Sequence, residues 1–360
     1  MKHFHVVLFV FLLFAPSLKA EETKEYLWNV ELQYFFNNNE FAPSSYALKQ
    51  TMAGTWLNTL GGISWDESHA IFGGVNLLKI PGLQPTINKI DVTLFYQYET
   101  SRFFFRAGAF PRKDVLNYCN FFFRDSIQHF VPQMQGIFFQ IGRDRNFFNA
   151  WLDWTGMPTA QQRESFYFGF SGRVSKQVFF ADFQSYINHL AGTAPFHESE
   201  IGVSEQMQMM ASLGLEHQTK NGFNGLVSAG VLAGNDRIRR EDLRHSSIGF
   251  VARANAEFWG IGTRNTIYLG NPRMEFYERY GNVLYWQNPF LRGSSYVQSN
   301  WFIRLLETSF ARAKFSYVLH FSEGVMMHQQ MLTVTANVGS ENVRKRENAN
   351  TAFPWARIFR

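Results

Sequence analysis

Histidine is the side chain best suited to moving a proton near neutral pH. Eight histidines follow residue 20 of this 360-residue chain: His69, His129, His189, His197, His217, His245, His320 and His328. Proton transfer also needs a positioned partner. Asp114, Asp125 and His129 share the stretch 111–132 and could form the acid–base half of a hydrolase. His197-Glu198-Ser199-Glu200 matches no metal-ligand spacing, and Gly169-Phe170-Ser171-Gly172 lacks the spacing of a nucleophile elbow and sits in a strand pattern. There is no Gly-rich phosphate loop, no basic nucleic-acid tract and no cysteine cluster. Cys119 is the only cysteine, so no intramolecular disulfide can form. These residues predict a chain without metal or cofactor and without enzymatic activity, a membrane hydrolase being the least favoured alternative.

A second kind of chemistry comes from charges set at every other position, and the elements that place them decide what they do. In Lys89–Phe110, Ile90, Val92, Leu94, Tyr96 and Tyr98 alternate with Asp91, Thr93, Phe95, Gln97 and Glu99. After Glu99-Thr100-Ser101, Phe103, Phe105, Ala107 and Ala109 alternate with Arg102, Phe104, Arg106 and Gly108. Period two reads as an antiparallel hairpin with one apolar and one polar face. The same pattern recurs along the chain from Trp28–Phe36, where Asn37-Asn38-Asn39 reads as the start of a polar connection, to Met327–Val338. It gives about sixteen strands, between about 14 and 18, with short turns after even strands and longer connections after odd ones.

Residues 1–20 read as a secretory signal peptide: Lys2, an apolar run Val6–Ala15, then Pro16-Ser17-Leu18-Lys19-Ala20. Without Lys2 and Lys19 the 34 basic residues become 32 against 29 acidic, a net charge of +3 that implies no single-sign partner. Hydrophobic residues make up 46% of the chain and aromatics 17%, yet no later run is long enough for a transmembrane helix. An exported chain of that kind fits strands that alternate between lipid and water. The predicted fold is therefore all-β, a transmembrane antiparallel up-and-down β-barrel in the bacterial outer membrane. Residues 21–360 read as one barrel domain with clear strands over about 26–338 and a tail at 340–360. Trp28, Tyr98, Trp151, Trp154, Phe258-Trp259 and Trp301 read as interface girdles.

The alternate positions then face the lumen. The acidic set is Glu31, Asp91, Asp153, Asp182, Glu216 and Glu257; the basic set is Arg102, Arg106, Arg173, Arg253, Arg264, Arg304 and Lys314. Opposite charges across strands brace a hydrated wall; the sharper alternative is a selectivity ring of Arg102, Arg106, Arg253, Arg264 and Arg304. Sixteen strands enclose an aqueous channel unless loops plug it. Residues 111–132, with Tyr118, Phe121, Phe122, Phe123, Arg124 and Asp125, are the candidate constriction.

The chain resembles the porin-like outer-membrane barrels of Bacteroidota-type bacteria. The resemblance rests on the export signal, Thr93-Leu94-Phe95-Tyr96-Gln97-Tyr98, Ala107-Gly108-Ala109-Phe110-Pro111-Arg112, Phe122-Phe123-Arg124-Asp125-Ser126, Gln135-Gly136-Ile137-Phe138-Phe139-Gln140 and Gln329-Gln330-Met331-Leu332. It implies location and fold more than substrate, and Arg360 departs from the terminal aromatic that such barrels carry. The expected function is a passive channel for small polar solutes. A loop-plugged barrel in surface adhesion or assembly is the alternative. Expected partners are outer-membrane lipid, the barrel-assembly machinery, small polar solutes and a possible second copy.

Overall fold

The computed structural model describes residues 24–193, 202–219 and 222–340. The expected signal peptide, the His197–Glu200 run, Lys220-Asn221 and the tail past Ser340 lie outside the described residues. Sixteen antiparallel strands close into a barrel in sequence order, with the first pairing the last. They are β1 (Glu25–Glu40), β2 (Gln50–Trp65), β3 (His69–Lys79), β4 (Lys89–Glu99), β5 (Phe103–Pro111), β6 (Gln133–Arg143), β7 (Asn146–Gly156) and β8 (Ser165–Lys176). The second half comprises β9 (Phe179–Leu190), β10 (Ser204–His217), β11 (Asn224–Ile238), β12 (Leu243–Phe258), β13 (Ile261–Gly270), β14 (Ser295–Glu307), β15 (Ala311–Ser322) and β16 (Val325–Gly339). The closing pair runs from Asn29 opposite Gly339 to Glu40 opposite His328. Closure leaves no sheet edge, so every strand's backbone groups are satisfied within the wall, as lipid requires.

Turns after even strands are short, and this end is the inner, periplasmic one; most longer connections lie at the outer end. Two outer connections depart from that rule, 239–242 and the Glu323-Gly324 turn. No helix among the described residues is long and apolar enough to cross a membrane; the strands cross it. Outward positions are apolar and exposed, Ile90, Val92 and Leu94 on β4 among them. β1 extends to Glu40, four residues past the Phe36 at which the sequence pattern fades.

The lumen is filled differently from the sequence expectation. Aromatics occupy inward as well as outward positions, and Trp151, expected in a girdle, points inward and is 2% exposed, whereas Trp28 and Trp301 face out. Trp151 fits because its cross-strand partner is Gly169: a Cβ there would lie 2.4 Å from the indole. Two outer connections, 112–132 and 271–294, fold into the outer half of the lumen and pack with the inward rings as one apolar cluster. The first carries helix α1 (Asp125–Phe130), and the second carries helix α2 (Tyr277–Leu284), kinked at Gly281. Phe121, Phe122, Leu284, Tyr285 and Leu291 are completely buried there. Sixteen strands alone would leave an aqueous bore; these two segments turn its outer half into a protein core.

Candidate functional site

The inward charges meet partners rather than forming a ring. Glu31 takes Lys113 at 2.5 Å, and Asp91 takes Lys89 at 2.9 Å. Arg106 bridges Asp114 at 3.0 Å and donates to Gln97. Asp153 holds Arg112 at 2.7 Å. Nearer the inner end, Arg173 meets Glu216 at 2.5 Å, Arg253 meets Asp182 at 2.9 Å, and Arg304 joins Glu257 at 2.8 Å and Glu307 at 3.4 Å. Arg264 lies 5.1 Å over the Phe302 ring, with the Lys314 ammonium 6.0 Å from it. Arg102 corrects the sequence expectation: it sits exposed in the β4–β5 turn, because β5 begins one residue later, and so does not line the wall. With Arg106, Arg253 and Arg304 engaged by carboxylates and Arg102 at the inner rim, the five arginines form no ring.

The candidate constriction residues lie inside the barrel. The Tyr118 hydroxyl accepts from Trp151 Nε1 at 2.9 Å and donates to the Ser185 carbonyl at 3.0 Å. Phe122 and Phe123 pack on Tyr186, and Arg124 Nε donates to Ser126 Oγ at 2.8 Å. The Asp114, Asp125 and His129 of the acid–base expectation do not converge. Asp114 serves Arg106 and Asp125 accepts from Gln329 at 2.8 Å. His129 stacks flat on Phe35 with centroids 4.3 Å apart. Burial holds its imidazole below the usual histidine range, against the raising effect of Asp125. His320 is also committed: Tyr296 Oη lies 2.8 Å from Nδ1 and Gln329 Oε1 2.9 Å from Nε2. Both ring nitrogens of His320 are thus engaged, while His129 Nε2 is buried without a hydrogen-bond partner.

A third group lies on the outside of the wall. At the outer end of the β15–β16–β1–β2 face, the outward positions are Tyr317, His328, Gln330, Asn38, Glu40 and Thr51, where the alternation otherwise places apolar side chains. Tyr317 Oη lies 2.6 Å from His328 Nδ1. Asn38 Nδ2 donates to Gln330 Oε1 at 2.8 Å and to Glu40 Oε1 at 3.0 Å, while Thr51 Oγ1 donates to Asn38 Oδ1 at 2.7 Å. Glu40 is the direct cross-strand partner of His328, and Lys49 Nζ stands 3.5 Å from its carboxylate. Ionisable groups on a lipid-facing wall are costly and mark function by default. Ending β1 at Phe36 hid this group. Counting period two onward through Asn38 and Glu40, and backward from Leu332 to His328, puts all of them on the lipid side. A second outward pair, His189 and Glu205 at 3.3 Å, is already engaged: Arg239 binds the carboxylate and Phe166 stacks on the ring.

The closed sixteen-strand wall, its apolar exterior and its short inner turns define a bacterial outer-membrane β-barrel of porin-like architecture. Residues 18–337 match the family described as Lipid A 3'-O-deacylase-type, and the chain belongs to that family. The match overturns the expectation of a chain without enzymatic activity, since the family is one of enzymes. Solved structures share the fold. OpdK of Pseudomonas aeruginosa, solved with vanillate, aligns at a TM-score of 0.51 and 8% identity over 88% of this chain and 99% of that one. Another structure of the same protein, OccK1 (OpdK), gives 0.50 and 9% over the same shares. A loop L8 deletion mutant of OmpT, an outer membrane protein of Vibrio cholerae, gives 0.49 and 10%, again over 88% and 99%. Comparison with curated proteins returns no match.

Proposed function

We propose that the chain is an outer-membrane ester hydrolase that removes an acyl chain from a sugar oxygen of a lipid A-type glycolipid, and that the reaction takes place on the lipid-facing wall at His328. The observation that carries the site is the outward His328–Tyr317–Glu40 group at the outer-leaflet end of β15, β16 and β1. A glycolipid of that leaflet presents its sugar–acyl ester near this height, beside the wall, whereas a site inside the lumen would require the lipid to leave the bilayer.

His328 Nε2 makes no hydrogen bond among the described residues and is the free lone pair of the group. With Nδ1–H donating to the Tyr317 oxygen, Nε2 takes a proton from water as the water oxygen attacks the acyl carbonyl carbon. The C–O bond to the sugar then breaks, and the same proton passes from His328 to the departing sugar oxygen, leaving a fatty acid and a sugar hydroxyl. Glu40 across the register offsets the positive charge on the imidazolium. Gln330, two residues along β16 on the same outward face, supplies an amide donor for the oxyanion. Mass spectrometry of lipid A from cells with and without the chain is the test. Expression should lower the mass by one acyl group, and His328→Ala should abolish that change while the barrel keeps its heat-resistant folded mobility. An unchanged lipid A would sink the activity; a fully active His328→Ala would sink the site.

A passive channel for small polar solutes is the second reading, favoured by the charged inner half of the lumen. Planar-bilayer conductance tests it, and a folded barrel that never conducts removes it.

A further inference from the structure

Directly behind the lipid-facing group, on the lumen side of the same strands, lies a cup of about 140 Å³ at the outer mouth. Alternation divides the residues between the two faces: Asn38, His328 and Gln330 point to lipid, while Asn39 and Gln329 point into the cup. Its floor is His320, Gln329 and Phe290, all nearly fully buried, and its rim carries the exposed Leu48 and Asn282, so it opens to the outside.

Three features define what fits. The first is a pair of tyrosines at the rim that share one cation: the Arg292 guanidinium lies 5.1 Å from the Tyr46 ring and 4.3 Å from the Tyr277 ring. The second is a lining rich in carboxamides, namely Asn39, Gln50, Asn120, Asn282, Asn288 and Gln298. Amides offer donors and acceptors without charge; here Asn120 donates to Gln298 and Asn288 is engaged by Phe290 and Tyr296, while Asn282 Nδ2 and Gln50 Oε1 make no hydrogen bond among the described residues. The third is that charge inside the cup is already used: Arg124 is tied to Ser126, Asn282 and the Tyr285 carbonyl, and Asp125 is tied to Gln329. An anion would find no uncommitted cation here and would face the Asp125 carboxylate. One buried polar atom is left over: Asn39, 8% exposed, lines the cup with Oδ1 lacking a partner. A buried acceptor in that state costs stability unless a ligand donates to it.

We propose that this cup binds a free neutral pyranose sugar from the external medium, stacked on Tyr46 and Tyr277 and hydrogen-bonded through its hydroxyls to the carboxamides, with one hydroxyl donating to Asn39 Oδ1. The site is separate from the lipid-facing group and stands whether or not that group hydrolyses lipid. Calorimetric titration of the detergent-solubilised full chain with N-acetylglucosamine, glucose and benzoate tests it. The expected result is saturable binding of at least one sugar but not of benzoate, weakened roughly tenfold by Tyr46→Ala and by Asn282→Ala in barrels that keep their heat-resistant folded mobility. His328→Ala should leave sugar binding unchanged, which separates this site from the hydrolytic one. No saturable sugar binding, binding of benzoate alone, or sugar binding indifferent to both rim variants would each overturn the proposal.

Discussion

In the outer half of the lumen, Arg112 and Asp153 meet at 2.7 Å with side chains 6% and 2% exposed, and the guanidinium lies 5.0 Å from the Trp286 ring and 5.7 Å from Phe123. In the inner half, Glu307 takes both Arg304 and Arg312, and the Arg312 side chain is 47% exposed. The inward wall is built from the same alternating strands in both halves. What differs is the pair of infolded segments, which packs the outer half with aromatic rings and leaves the inner half to its own paired charges. A dry pair is held by its geometry and is intolerant of losing a partner, because the survivor is a buried charge. A wet pair gains little and loses little, since water and salt stand in for either partner. The barrel therefore combines a protein-like core above with a wall of paired charges below.

Removing one member of the dry pair should show the largest effect. Arg112→Met leaves Asp153 without its cation and frees the start of the 112–132 segment, whose Arg112 also donates to the Gln133 carbonyl at 3.0 Å. The expected loss is about 3–5 kcal/mol in urea unfolding of the refolded barrel, and adding Asp153→Leu should recover much of it. A loss under about 1 kcal/mol would mean that water reaches the pair and that the contrast between the halves is false. Leu284→Ala should come next. Leu284 is completely buried between α2 and the wall, and its carbonyl accepts from Asn188 at 2.9 Å. Truncation into a packed region costs about 2–5 kcal/mol, scaled by the cavity left.

The wall was legible in the sequence because period two is a local signal: Ile90 to Tyr98 and Ile248 to Phe258 announce their faces without any knowledge of their neighbours. The filling was not. Nothing local in Trp151 says that it faces a glycine on the next strand and can turn inward. The destination of Tyr285 or Trp286 depends on a segment that closes against strands far away in the chain. The sequence named the 111–132 segment as a constriction and showed 271–294 only as a long aromatic loop, without marking it as the larger counterpart in the plug. Asn38 and Glu40 were lost for a different reason: three consecutive asparagines have low strand propensity, and the ladder between β1 and β16 overrides it.

On the wet side the effect should be small. Arg253→Gln removes the cation from Asp182, which also accepts from Ser212, in the half that the plug segments do not fill, where both side chains keep some contact with solvent. The expected loss is on the order of 1 kcal/mol, and high salt should reduce it further. A loss as large as that of Arg112→Met would show the inner half to be as dry as the outer.

Cys119 marks the boundary between the halves. It lies at the underside of the plug, Sγ 3.8 Å from Met210 Sδ, with the Arg253–Asp182 pair below it. Burial pushes its thiol up to about 11, and the pull of Arg253 only partly opposes that. The thiolate is the reacting form, so a raised pKa means slow alkylation at neutral pH. With iodoacetamide in excess, the rate should climb about tenfold per pH unit and level off only near the raised value. A rate that levels off below pH 9, at an ordinary thiol's value, would place water against Cys119 and move the dry boundary up toward Phe122. Arg253→Gln sharpens the measurement: losing the nearby cation should shift the profile slightly to higher pH if the thiol senses the inner half's charges, and a shift to lower pH would mean that the substitution had opened the plug to water.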